Sequence, residues 1–193
     1  MPPASSSNLV LPAPITQAAT RSDTGSGFTC EHEALNRFFR ESARQNQERD
    51  ISRTWVLRRI ASDDPALPLV LGYYTLSLTT IQRETLPPDL GKRLPNYPLP
   101  AVLIARLARD SRVRGQGHGE VLLGDAHLRA LAINEQSGAV AVIVDAKDAH
   151  ARDFYKKFGY EPLLPENESP TSPWPLRLFL SMATIRDMYS AAP

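Results

Sequence analysis

Three glycines at alternate positions, Gly115, Gly117 and Gly119, close the segment Arg106-Leu-Ala-Arg-Asp-Ser-Arg-Val-Arg-Gly-Gln-Gly-His-Gly-Glu120. Without Cβ atoms, backbone N–H groups there can approach an anion, and a helix starting directly afterwards adds its partial positive charge. The chemistry this predicts is the binding of a phosphate or pyrophosphate, although the same spacing also serves as a plain tight strand-to-helix connection. Two familiar phosphate signatures are absent. A dinucleotide fold needs G-x-G-x-x-G at its first strand-to-helix turn with an acidic residue about twenty positions later. Here the spacing is G-x-G-x-G, past mid-chain and behind a β-rich half. A nucleotide P-loop needs Gly-Lys-Ser/Thr, which does not follow.

The elements that must hold this loop are read from periodicity. Ala101–Ala108, apolar apart from Arg106, predicts a central strand directly before it. Val121, Leu122, Leu123, Ala126, Leu128, Ala130 and Leu131 predict a helix after it, running to about Glu135. Upstream, Leu35, Phe38, Phe39 and Ala43 fall at helical spacing between Glu31 and Gln47, with Glu31 and Glu33 near the start, where the helix dipole favours anions. The outer face of that helix carries Arg37, Arg40 and Arg44, then Arg49 and Arg53, interrupted by Glu41, Glu48 and Asp50. It reads either as a solvated face of mixed ion pairs or as a strip facing a polyanion. Arg53–Ile60 and Leu69–Ile81 predict strands paired as a hairpin across Asp63 to Pro68. The prolines between residues 83 and 100 predict a loop with one short helical turn near Leu90. Further on, Gly138–Val144 predicts a second buried strand and Ala149–Phe158 a short helix stopped by Gly159. Leu176–Met182 predicts a terminal strand after a Pro-rich loop.

Composition narrows the class. The 193 residues carry 22 Lys+Arg against 21 Asp+Glu, a net charge of +1, and 42% are hydrophobic. That predicts one ordinary domain with a real core and argues against a disordered chain or a strongly basic nucleic-acid coat protein. A local basic face remains compatible with RNA. Residues 1–14 are rich in Pro, Ser and Ala and predict a flexible arm ahead of a single domain over 15–193. Leu9-Val10-Leu11 is too short for a signal-peptide core or a membrane span, and Cys30, the one cysteine, cannot form an intramolecular disulfide. A soluble, cytoplasmic protein is expected. His32, His118, His127 and His150 show no ligand spacing, so no metal is expected.

Arg114-Gly115-Gln116-Gly117-His118-Gly119 resembles motif A of the GNAT N-acetyltransferases, Gln/Arg-x-x-G-x-G/A. Arg112 satisfies the same pattern with Gly115 and Gly117; the Arg114 register is preferred because it leaves Gly119 to open the helix. Asp145-Ala-Lys-Asp-Ala-His-Ala-Arg-Asp-Phe-Tyr-Lys-Lys-Phe-Gly-Tyr160 resembles motif B, with its closing Phe-Tyr-x-x-Phe-Gly-Phe/Tyr pattern. The resemblance implies the GNAT fold, an α/β (α+β) architecture with a mixed, mostly antiparallel central sheet, splayed central strands and helices on both faces. It implies acetyl-CoA as cosubstrate, its pyrophosphate held by Arg114, Gly115, Gln116, Gly117, His118 and Gly119, with His118 acting through its backbone. The backbone of Leu107, Ala108 and Arg109 is implied at the acetyl end. Tyr155 is implied as the general acid that protonates the leaving thiolate, while Phe154 and Phe158 read as packing. Acetyl transfer otherwise needs a neutral amine to attack a thioester, with backbone N–H groups supporting the oxyanion. No general base is evident: Asp110, Asp145 and Asp148 are the candidate deprotonators, but they stand where turns and caps favour aspartate.

Further blocks are similar to one branch of the family, the tRNA-acetylating GNAT toxins of bacterial type II toxin-antitoxin systems. They are Phe28-Thr-Cys-Glu-His-Glu-Ala-Leu-Asn36, Gly72-Tyr-Tyr-Thr-Leu-Ser77, Leu94-Pro-Asn-Tyr-Pro98, Arg106-Leu-Ala-Arg-Asp110, Val144-Asp-Ala-Lys147 and Leu178-Phe-Leu-Ser-Met182. Arg109 departs from that branch, where a small apolar residue is common. The similarity implies acetylation of the α-amine of aminoacyl-tRNA, a block of translation, a homodimer and a ribbon-helix-helix antitoxin. Arg40 and Arg44 are then the candidates to meet tRNA phosphates. Two other readings fit the same residues: acetylation of another amine, on a small molecule or protein N-terminus, and a non-catalytic acetyl-CoA-binding module that regulates assembly with a partner.

Overall fold

The computed structural model describes residues 15–60, 64–163 and 174–190, so the arm expected over 1–14 lies outside the described residues. In chain order, strand β1 (Gln17–Ala18) and a helical turn α1 (Arg21–Thr24) precede helix α2 (Glu33–Arg37). The chain continues through a wide π-helical turn, Phe38–Ser42, into α3 (Ala43–Glu48), then β2 (Arg53–Arg58) and β3 (Val70–Ile81). A short α4 (Pro88–Gly91) precedes β4 (Leu99–Arg109), α5 (His118–Ser137), β5 (Ala141–Ala146) and α6 (Ala149–Lys156). The remaining elements are β6 (Glu161–Pro162), β7 (Leu176–Ser181) and α7 (Met182–Ser190).

The seven strands of the described residues join one sheet in the order β1-β2-β3-β4-β5-β7-β6. Only β4 and β5 run parallel; the expected β2–β3 hairpin forms, and the other neighbours are antiparallel. On one face, Leu122, Leu123, Ala126, Ala130 and Leu131 of α5 pack onto Tyr74, Leu76, Val102 and Ile104. Full burial of each such leucine stabilises by about 1.5–3 kcal/mol, which anchors α5 along the central strands. On the other face, Phe28, Phe38, Phe39 and Ala43 cover Val56, Tyr73 and Ala108. This is the mixed, mostly antiparallel sheet with helices on both faces that was expected.

Three features differ from the periodicity reading. The helix expected over Glu31 to Gln47 is interrupted at Phe38–Ser42. Both of two successive phenylalanines are buried there, Phe39 stacking on Tyr73 at 4.5 Å and Phe38 at 6.4 Å. A regular helix would turn neighbours about 100° apart, and the wide turn brings both rings to one side. The strand expected to start at Gly138 starts at Ala141, because Gly138 has φ +76° and ends α5 instead. The terminal strand stops at Ser181, and a helix from Met182 follows, packing Met182, Ile185 and Tyr189 against the core under α5.

Candidate active site

β4 has two halves. From Ala101 to Ile104 it pairs with Ala141–Val144 of β5, and beyond Ile104 that pairing ends, although β4 continues to Arg109 beside β3. The register against β3 jumps from Leu76↔Ile104 to Thr75↔Arg106, leaving Ala105 as an extra residue. Such a bulge bends a strand and increases its twist, turning β4 away just where β5 stays with β7 as far as Ala146↔Leu176. The expected splay is therefore present. Into it opens a cavity of about 420 Å³, lined by Leu107, Ala108, Arg109, Arg114, Gly119 and Tyr155, among others. Along this half, the β4 peptide groups on the β5 side lack a ladder partner, and unpaired backbone groups are obligatory hydrogen-bonding sites.

The glycine loop begins with a short 3-10 turn, Ser111–Val113, capped by Asp110. The buried Asp110 carboxylate accepts hydrogen bonds from the Thr29 N–H (3.0 Å), the Arg112 N–H (3.0 Å) and the Arg112 guanidinium (2.8 Å at each oxygen). Burial by itself would raise this carboxyl's pKa, but the Arg112 and backbone hydrogen bonds hold it below the usual carboxylate value. Arg112 is therefore engaged with Asp110, whereas Arg114 is exposed and faces the cavity. Gly115 and Gly117 have φ +76° and +80°, a left-handed backbone open to glycine at little cost. α5 then starts at His118, with Gly117 as its N-cap. The first-turn N–H groups of α5 have no partner within the helix. At Gly119 a Cβ would stand in ordinary contact with the Phe154 ring, at 3.4 Å, so α6 packs close against the helix start.

α6 is capped by Asp148, which accepts a 2.8 Å hydrogen bond from the Ala151 N–H, and ends toward Gly159 at φ +82°. It presents Tyr155, 8% exposed, at the cavity wall. The ring rests against Phe154 and Tyr160 at 5.2 and 5.3 Å, and the hydroxyl makes no hydrogen bond among the described residues. Burial, and secondarily the negative charge of Asp145, push its pKa well above the ordinary phenol value. The phenol therefore keeps its proton at neutral pH, the state a general acid requires.

Several cavity residues were not assigned by the sequence reading, among them Lys147 and Glu31. Glu31, held by a loop whose Cys30 N–H and carbonyl are bridged by the Asn36 side chain (2.8 and 3.0 Å), faces Arg109 at 3.2 Å and Arg114 at 3.9 Å. Burial works to raise its pKa, and its own backbone N–H with Arg109 and Arg114 outweighs that and lowers it. Arg109, the departure from the toxin branch, thus ties the end of β4 to the entry of α2. No spacing rule links residues 31 and 109, so only the fold could bring them together.

Leu107, Ala108, Arg109, Arg114, Gly119 and Tyr155 surround one cavity. Gly115, Gln116 and Gly117 form the turn beside it and His118 opens α5, its Nδ1 buried and without a partner among the described residues. Arg40 and Arg44 do not line it. Arg40 pairs with Glu33 at 2.8 Å, and Arg44 pairs with Glu48 on the same helix. Asp145 pairs with Arg177 at 2.8 Å. Among the described residues no three His, Cys, Asp or Glu side chains are grouped to hold a metal ion, and no helix is long and apolar enough to cross a membrane.

Residues 101–173 match the acetyltransferase (GNAT) domain family. The chain is 30% identical over 169 residues to a probable TacT toxin of Sinorhizobium fredii, spanning 83% of this chain and 86% of that protein. It is 30% identical over 161 residues to a tRNA-acetylating toxin of Mycobacterium tuberculosis, spanning 83% and 89%. The chain belongs to the GNAT acetyltransferases, in the family of these toxins. Among solved GNAT structures, AtaT complexed with acetyl-methionyl-tRNAfMet matches with a TM-score of 0.77 at 29% identity, covering 90% of this chain and 98% of AtaT. A mutant AtaT bound to acetyl-CoA and the C-terminus of the antitoxin AtaR matches with a TM-score of 0.71 at 27% identity, covering 91% and 97%.

Proposed function

We propose that this GNAT enzyme transfers the acetyl group of acetyl-CoA to the α-amine of an amino acid esterified to tRNA, and that it is a toxin that blocks translation. The observation that carries this reading is the cavity at the β4–β5 splay, where open strand backbone, the glycine loop and the unpaired Tyr155 phenol meet. The tRNA-acetylating relative and the likeness to AtaT with its acetylated tRNA support the acceptor.

The first-turn N–H groups of α5 and the Arg114 guanidinium suit a pyrophosphate. The unpaired backbone of Leu107 to Arg109 suits the pantetheine and acetyl carbonyl, and it supports the oxyanion as the neutral amine attacks. A carbon–nitrogen bond forms, the carbon–sulfur bond breaks, Tyr155 gives its proton to the departing thiolate, and the proton that the amine nitrogen sheds as the amide forms restores the phenol through water. Cytoplasmic residence, a homodimer and restraint by a ribbon-helix-helix antitoxin complete the reading. In it Arg40 and Arg44 exchange Glu33 and Glu48 for tRNA phosphates, an exchange with low cost because exposed ion pairs contribute about 0–1 kcal/mol.

The test incubates the protein with labelled acetyl-CoA and charged tRNA, with uncharged tRNA and a panel of free amines alongside. Label on charged tRNA alone, released with the amino acid by mild base, is the expected result. Label on a free amine would move the substrate elsewhere within the same chemistry. Cofactor binding without transfer would leave only a regulatory module.

A further inference from the structure

Arg106 is the exception among the partly buried arginines. Arg58, Arg83, Arg109, Arg129 and Arg152 each lie within 3.4 Å of a carboxylate, and Arg59 donates to the carbonyls of Pro65 and Leu67. Arg106 has neither kind of partner among the described residues. Its guanidinium carbon lies 3.7 Å from the centroid of the Phe38 ring, and burial holds its pKa below the usual guanidinium value. Sheltering a cation without a counter-charge is costly, and the ring face offsets only part of that cost.

Its place in the sheet says what could complete it. Arg106 stands on the open half of β4, beyond the last residue paired with β5. Alternation puts it on the same strand face as Ala108, and Ala108 packs with Phe38 in the aromatic cluster under α2. Ala108 and Leu35 line the cavity, and Phe38 follows Leu35 by one helical turn. Arg106 and Phe38 therefore adjoin the cavity on the α2 side, next to Ala108 and Leu35, without themselves lining it. The glycine loop leads into α5 on the opposite face, so phosphates held by that loop are not candidates for Arg106. An acceptor entering from the α2 side is.

We infer, on the aminoacyl-tRNA reading above, that Arg106 receives the 5′-phosphate of the terminal aminoacylated nucleotide and so seats the α-amine at the acetyl end of the cavity. Stacked on Phe38, the guanidinium keeps its N–H edge free, and that fork matches two phosphate oxygens. The reach is suitable: two residues of β4 span about 7 Å, while the α-amine of a 3′-aminoacyl nucleotide is roughly eight bonds from its own 5′-phosphate. Arg106 is a specificity-determining residue; no bond to the acetyl group passes through it.

The experiment compares two acceptors, a 3′-aminoacyl adenosine with a 5′-phosphate and the same molecule without it, each carrying the amino acid identified on charged tRNA. Steady-state constants are measured for the unaltered enzyme, Arg106→Gln and Arg106→Lys, with acetyl-CoA affinity measured for each. The unaltered enzyme is expected to favour the phosphorylated acceptor by roughly ten- to a hundredfold in kcat/KM, the scale of a charge-assisted hydrogen bond. Arg106→Gln loses that preference through KM, with much smaller loss on the phosphate-free acceptor; Arg106→Lys keeps part of it. A preference that survives in Arg106→Gln overturns the inference, as does its absence from the unaltered enzyme. Equal loss on both acceptors, or lost acetyl-CoA affinity in both variants, would make Arg106 a structural residue and overturn it too. If the unaltered enzyme acetylates neither these acceptors nor charged tRNA, the aminoacyl-tRNA reading itself falls.

Discussion

Tyr155 and Tyr160 sit five residues apart with rings 5.3 Å apart, both buried and both with pKa values pushed up by that burial. Their hydroxyls meet opposite circumstances. The Tyr160 oxygen lies 2.9 Å from His127 Nε2, and Tyr189 approaches the other ring nitrogen at 3.4 Å, so this cluster beneath α5 and α7 is closed on itself. The Tyr155 hydroxyl has no described partner and faces the cavity. Aromatic identity and burial are alike at the two sites; hydrogen-bond completeness is not. A buried polar group completed by the fold contributes stability, and one left incomplete beside a cavity is available for chemistry.

The largest effect should come from deleting each hydroxyl in turn. Tyr155→Phe removes the proton donor and is expected to lower turnover by roughly a hundred- to ten-thousandfold while acetyl-CoA affinity is kept. Tyr160→Phe strands a buried imidazole nitrogen and should lower unfolding free energy by about 1–3 kcal/mol, leaving turnover near its original value at a temperature where the variant is folded. Turnover assays with denaturant melts on both variants read the contrast directly. Loss of turnover in Tyr160→Phe equal to that in Tyr155→Phe would erase the distinction.

Acid should act on the closed cluster. Burial depresses the His127 pKa from 6.5 to about 4, so the folded protein holds this ring neutral. Unfolding restores the ordinary value, and between pH 6.5 and 4 the unfolded chain binds the additional proton. The contribution is complete above pH 6.5 and declines as pH falls through the window, by roughly 3 kcal/mol at its lower end. His127→Gln removes the titration while leaving a polar group toward Tyr160. Denaturant melts across the window should be flatter for this variant by that amount, and an unchanged slope would show that the ring is not the acid-sensitive group.

Much of the frame was legible because it depends on local rules. Ala101–Ala108 and the helix after Gly119 follow apolar period and glycine placement, and Asp110 and Asp148 cap turns as aspartates near such positions do. The cavity was legible through motif resemblance, since Arg114, Gly119 and Tyr155 lie close in sequence to the elements that position them. Glu31 was not legible: its partners are 78 residues or more away, and its own neighbours suggest only a helix start. Asp125 was hidden for the same reason. On a helix read as apolar it is buried, completed by the Ile15 N–H at 2.8 Å, Thr16, Tyr74 and Arg129. The π turn at Phe38 was missed because periodicity assumes a uniform helix, whereas two adjacent rings competing for Tyr73 widen it.

The smallest effect on the fold, and the sharpest trial of the contrast between completed and incomplete groups, concerns Arg40 and Arg44. By hydrogen-bond completeness they resemble Tyr160, since Glu33 and Glu48 already accept from them. Exposure separates them from it: roughly half of each arginine side chain is open, at 47% and 45%, and water makes such pairs easily exchangeable. Replacing both with alanine should change unfolding free energy by less than about 1 kcal/mol. If both meet tRNA phosphates, the slope of log affinity against log salt should shallow by about 1.4 to 1.8, the counterion release of two contacts. Measured by titrating labelled tRNA at several salt concentrations, an unchanged slope would leave the face a solvated surface of mixed charge. Completeness would then predict inertness at exposed sites as well as buried ones; a shallower slope would restrict that rule to the interior, where a partner cannot be exchanged for water.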